Sequence, residues 1–282
     1  MYSILIGGLG QALGAFAASD IEKSVSDLSV SVVVAAALFL MVLIVTATLT
    51  HERWPQLKLP LFVLIAIVVV STTLTISGAT VYLNVKSATG GPVHWHADYQ
   101  VWACGNQLNL RDPSGILNNK IGTPTLHEHN DGRIHLEGTL VALPYDASLG
   151  KFLSVVGGGI TDDSLVFPLN DDGNYFTGQP NSPELLKAFI ATNKSGAYAR
   201  FVSGESCAQA RAQVQVFAYH YDEASKTYTQ RKIEHPANYE LSHTSNAPPG
   251  DCIIVEFSPA KDHTNHLCKQ YQLSGGQPQG TD

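Results

Sequence analysis

Two uninterrupted apolar stretches, Leu28 to Thr50 and Leu59 to Val85, contain no Lys, Arg, Asp, Glu or His. Each exceeds the roughly 20 residues that cross about 30 Å of hydrocarbon, so the pattern predicts two transmembrane helices. After Pro92 the texture changes to short alternating runs separated by Gly, Pro, Asn and Asp. The runs VHWHADYQVWA, TLHEH, RIHLEGTLVAL, LVFPL, YARFV, QVQVFAYHY, TYTQRKI and CIIVEF predict strands. Two helices interrupt them: ASLGKFLSVV behind Asp146 as N-cap, and SPELLKAFIATN with Ser182 as N-cap, Pro183 at its first position and Asn193 near its end.

The expected fold is therefore two transmembrane helices followed by a mainly β outer domain, an antiparallel sandwich or partly open barrel with short helical insertions. The boundaries read as an N-terminal segment (1–27), a two-helix anchor (28–85), a KSATGGP linker (86–92), a β-rich domain (93–273) and a tail (274–282). The tail is too polar and rich in Gly and Pro to pack.

Charge sharpens this picture. Charged residues make up 15% of the 282-residue chain, against roughly 25% in a typical soluble protein, and their absence from the two spans excludes a fully soluble protein. Lys23, Arg53, Lys58 and Lys86 cancel Asp20, Glu22, Asp27 and Glu52, so the net charge of -7 belongs to residues 87–282. An acidic domain with no basic run argues against nucleic acid as a partner. The partner implied is the lipid bilayer; protein partners are not specified.

The loop between the spans carries Arg53 and Lys58, whereas the segment before the first span is net acidic. The positive-inside rule then places the loop in the cytoplasm and both termini outside, in a multi-pass cell-membrane protein. Residues 1–19 end in a small-residue AFAAS run like a cleavage site, but no basic residue precedes their apolar part. A re-entrant or interfacial segment is favoured over a cleaved signal peptide.

All four cysteines lie in the outer domain, as an oxidising compartment predicts. Cys252 and Cys268 flank the turn-like SPAKD, and an antiparallel hairpin centred near Ala260 would set them opposite one another. That favours Cys252–Cys268 and leaves Cys104–Cys207; four free thiols are the alternative.

The candidate chemistry is in the histidines, of which there are 11. His94 and His96 occupy HWHADYQVW, and His127, His129 and His135 occupy LHEHNDGRIH. Residues two apart on a strand share a face, so His94, His96, Asp98 and Gln100 oppose Val93, Trp95, Tyr99 and Val101. For the second window, a three-residue loop Asn130-Asp131-Gly132 puts Gly at the left-handed position and turns His135 toward His127. The same register segregates Thr125, His127, His129, Arg133, His135 and Glu137 from Leu126, Ile134 and Leu136, with Glu128 alone misplaced. If the two windows are neighbouring strands, five imidazoles meet.

Such a set suits Zn, Cu, Ni or Fe, with Zn or Cu the expectation and Asp98 and Glu137 as candidate orienters of the rings. Met1 and Met41 are the only methionines, which excludes a Met-rich Cu(I) site. The bland alternative is a solvated face of histidines that only titrate. His220 reads as a hydrogen-bonded sheet residue, His263 and His266 as surface loop, and His51, His235 and His243 carry no role. Gly157 to Gly159 reads as a turn, and neither GxSxG nor HExxH is present. A cupin-like reading of GGPVHWH lacks the expected glutamate.

HWHADYQVWACG, TLHEHNDGRIHLEG and ASLGKFL resemble an uncharacterised bacterial family of membrane-anchored outer domains with HxH and LHxHxxxxIHxE motifs. The resemblance covers Val93 to Val156 and implies that His94, His96, His127, His129, His135 and Glu137 form one unit. It names neither metal nor reaction; Cys104 before the Gly turn departs from the pattern and suggests a disulfide-bearing branch. Three functions are consistent with these residues, in order of preference: a membrane-anchored extracytoplasmic protein binding Zn or Cu for sequestration, delivery or bracing; an interaction or assembly module; and a metal-dependent enzyme with an open three-histidine site and Glu128, Glu137 or Asp98 as base. No nucleophile or nucleotide loop supports the enzyme, so the reading leans away from it.

Overall fold

A computed structural model describes residues 2–113, 119–170, 173–222, 224–225, 227–248 and 250–273, with side chains from Ser24 to Tyr271. The chain divides into two compact units, 1–92 with 139–143, and 93–138 with 144–282.

The first unit contains α1 (Tyr2–Thr50) and α2 (Lys58–Lys86), joined by a short turn with a 3-10 helix at Pro55–Leu57. Ser24–Thr50 and Pro55–Lys86 are long and apolar enough to cross a membrane, and most of their large apolar side chains are exposed. Several hydroxyls inside these stretches are satisfied within the helix: Thr46 donates to the Val42 carbonyl and Thr73 to that of Val69, each at 2.8 Å. Such bonds to the preceding turn satisfy a hydroxyl from within its own helix. α1 is continuous from Tyr2 into the first apolar stretch. The tail at 274–282 lies outside the described residues.

The second unit is mainly β. Its strands are β1 (Pro92–Ala103), β2 (Asn106–Gln107), β3 (Ile121–Gly122), β4 (Leu126–Glu128), β5 (Arg133–Thr139), β6 (Gly159–Ile160), β7 (Ser164–Pro168), β8 (Ile190–Asn193), β9 (Gly196–Val202), β10 (Ser206–Cys207), β11 (Ala210–Arg211), β12 (Gln213–Asp222), β13 (Thr227–Ile233) and β14 (Asp251–Ser258). Among the described residues an eight-stranded sheet follows the order β13-β12-β14-β1-β5-β4-β3, with β2 folded back on β1. A four-stranded sheet follows β6-β7-β9-β8, and β10 pairs with β11. Phe201 on β9 and Phe257 on β14 bring the two larger sheets together, with ring centroids 4.9 Å apart.

The large sheet is mixed rather than all-antiparallel as expected, because β1 and β14 pair in parallel, from Ala97 opposite Asp251 to Ala103 opposite Phe257. CIIVEF accordingly sits in the middle of the sheet with every residue buried. A near-continuous apolar run is what a strand covered on both faces requires.

Three local expectations are corrected. The first helix of this unit, α3 (Leu149–Val155), is capped by Ser148, whose hydroxyl accepts the Lys151 N–H at 3.1 Å, while Asp146 lies in the preceding 3-10 turn. SPELLKAFIATN splits into a 3-10 helix, Pro183–Phe189, and β8, and Ser182 makes no side-chain cap. Both expected disulfides form, Cys104–Cys207 and Cys252–Cys268. The Cys252 hairpin does not: β14 is followed by coil, and Cys268 precedes the short helix α4 (Lys269–Leu273).

Candidate metal centre

The hairpin β4–β5 adopts the three-residue loop. Leu126 pairs with Leu136 and His127 with His135, and Gly132 has φ +73°. Leu126, Ile134 and Leu136 are buried, so the apolar side faces the core and the histidine side is set by alternation. Glu128, the residue out of pattern, is buried and explains the loop. Its carboxylate accepts the N–H groups of Asn130 at 2.6 Å, Asp131 at 2.7 Å and Gly132 at 2.9 Å.

β1 lies beside β5. His94 meets Glu137, the His96 ring meets that of His135, and Asp98 meets Arg133. One series ascends as the other descends, so the strands run antiparallel. Across β1, β5 and β4 the central row is therefore His96, His135 and His127. The windows expected to be neighbours are neighbours.

The donor atoms fall into two groups. Those of His127, His129 and His135 lie within 4.8 Å of one another, as do those of His94, His96 and Glu137. His127 is 1% exposed, and its Nδ1 is buried with no hydrogen-bond partner. A buried, unpaired ring nitrogen costs free energy unless a ligand satisfies it. Burial, reinforced by the Lys120 charge, pushes the His127 pKa down to about 4; burial also lowers that of His96. Both rings are held neutral at pH 7, the form that binds metal.

Backbone carbonyls orient two of the rings. His129 Nδ1 donates to the Asn119 carbonyl at 2.9 Å, and His96 Nδ1 donates to that of Ser245. A carbonyl only accepts, so the proton is on Nδ1 and the lone pair on Nε2. Asp131 accepts from His135 Nε2 at 3.3 Å. Sequence reasoning misses these orienters: the pattern marks Asp131 only as a turn residue, and the carbonyls have no sequence signature.

The orienters expected are Asp98 and Glu137, and of the two only Glu137 meets a histidine. Asp98 is held by Arg133, Oδ1 to Nε at 2.7 Å and Oδ2 to Nη2 at 3.4 Å. Glu137 Oε1 lies 3.2 Å from His94 Nε2, among the donor atoms themselves. With Glu128 occupied by the loop amides and Asp98 by Arg133, Glu137 is the one of the three candidate bases that faces the histidines.

Close packing fixes β4 from its other side. Gly122 opposes His127, and a Cβ there would stand 2.5 Å from the Leu126 carbonyl oxygen and 3.0 Å from His127 Cα. The remaining histidines lie elsewhere. His220 Nδ1 donates to buried Asp251 at 3.0 Å, in keeping with a sheet residue, and His266 stacks on Trp102 with centroids 3.7 Å apart.

All four cysteines are in disulfides, so thiolate ligands are not available and the donors are imidazole and carboxylate. These histidine groups could hold a metal ion. No protein-family model matches the chain, nor does any curated protein or solved structure.

Proposed function

We propose that this is a membrane-anchored, extracytoplasmic protein that binds a transition metal, Zn or Cu, at the hairpin triad His127, His129 and His135, for sequestration or delivery. The observation that carries the reading is the buried His127 Nδ1 without a partner, in a ring whose neighbours' donor atoms lie within 4.8 Å. Imidazole donors without thiolate or thioether suit Zn and Cu, as they also suit Fe and Ni. The two apolar helices supply the anchor, and the cationic loop at Arg53 and Lys58 supports an outer location for the β unit. Two disulfides fit the same compartment.

The full chain, purified in detergent without a polyhistidine tag, is compared by elemental analysis with a His129→Ala/His135→Ala variant. The wild type should retain stoichiometric Zn or Cu and the variant should not, with both disulfides intact in each. Equal content in the two, or no metal in the wild type after incubation with Zn and Cu salts, overturns the reading.

A further inference from the structure

The hairpin triad takes up only part of the polar face. His94 Nε2 stands 3.0 Å from His96 Nε2 and 3.2 Å from Glu137 Oε1. A single ion about 2.0–2.1 Å from each donor can span such separations. His96 donates its Nδ1 proton to the Ser245 carbonyl, which leaves the lone pair on its Nε2, the atom that faces His94 Nε2. Two imidazoles and a carboxylate thus converge with one tautomer already fixed.

We propose that His94, His96 and Glu137 form a second metal site, so that the sheet face carries a two-ion centre. The boundary between the sites is the contact of His96 with His135, whose rings meet edge to face with centroids 4.8 Å apart. This rests on the reading of the hairpin triad as a metal site. Charge supports the pairing. The triad offers three neutral ligands, and a second dication nearby would be repelled by the first. Glu137, two residues from His135 on the same strand face, supplies the negative charge that offsets this repulsion.

The sites differ in access. His127 is buried, whereas the His94 side chain is 62% exposed. The second site therefore exchanges its ion with the surroundings, while the first retains it. For a protein that accepts and passes on metal, the outer site is the port.

The test titrates metal-free full chain in detergent with Zn(II) against a chromophoric chelator. The wild type should take up two equivalents, and His94→Ala/Glu137→Gln and His129→Ala/His135→Ala one each. One equivalent in the wild type, unchanged by His94→Ala/Glu137→Gln, overturns the second site and leaves the hairpin reading standing; no uptake overturns both. Cu(II) supplies an independent readout. At two equivalents the wild-type electron paramagnetic resonance signal should be broadened by dipolar coupling, and His94→Ala/Glu137→Gln at one equivalent should restore an isolated-ion spectrum. Two magnetically isolated coppers in the wild type would overturn the two-ion centre.

Discussion

His127 and His135 are direct cross-strand partners whose rings lie nearly parallel, 7° between planes and 5.5 Å between centroids. Their common face results from one residue of loop length, and their environments differ: His127 is buried, and His135 reaches Asp131. The buried partner makes folding depend on pH. Its pKa is about 4 in the folded chain, against about 6.5 when unfolded. Between those values the unfolded chain binds more protons, so stability rises with pH. The His127 contribution is complete above pH 6.5 and is lost as pH falls toward 4. Urea unfolding of metal-free chain at pH 7 and pH 4.5 should show a larger acid loss for the wild type than for His127→Asn. Equal losses would contradict the buried neutral imidazole.

The hairpin is legible in the sequence because Gly132 and the two-residue alternation agree on one register. Its relation to β1 is not. Parity places His94, His96 and Asp98 on one face, but which residue of β5 each meets depends on a pairing that spans a long stretch of intervening chain. Hence Asp98, expected beside a histidine, belongs to Arg133, and Glu137, expected as an orienter, stands among the donors. The parallel pairing of β1 with β14 is hidden for the same reason. Cys252 and Cys268 pair as expected, but not through the hairpin that suggested it, since nearness in sequence permits more than one path between them.

Glu128 holds the loop that sets the distance between His129 and His135. Glu128→Gln keeps one carbonyl oxygen but turns an amide NH2 toward at least one of the three N–H donors. The expected loss is about 2 kcal/mol, read as a lowered urea midpoint at pH 7. Metal affinity should fall roughly 10-fold, as when a ligand's support is removed. Unchanged affinity would separate the loop from the site.

The disulfides close loops of different length, with sequence separations of 103 and 16 residues. By chain entropy, Cys104→Ser/Cys207→Ser should cost about 4–5 kcal/mol and Cys252→Ser/Cys268→Ser about 3 kcal/mol. Thermal unfolding of both variants orders the two bonds; the reverse order would show that folded-state packing outweighs loop closure.

The proposed topology has a direct readout. Protein in cell membranes should resist alkaline carbonate extraction, and protease added from outside should digest the β unit while sparing the helices. A β unit protected until the membrane is permeabilised would invert the assignment drawn from Arg53 and Lys58.

The central claim is that these histidines are metal ligands, and X-ray absorption at the edge of the retained metal tests it most directly. The account predicts nitrogen scatterers at about 2.0–2.1 Å with the multiple-scattering pattern of imidazole, reduced in His129→Ala/His135→Ala. A shell of oxygen alone, or an imidazole signal of equal strength in that variant, would contradict it.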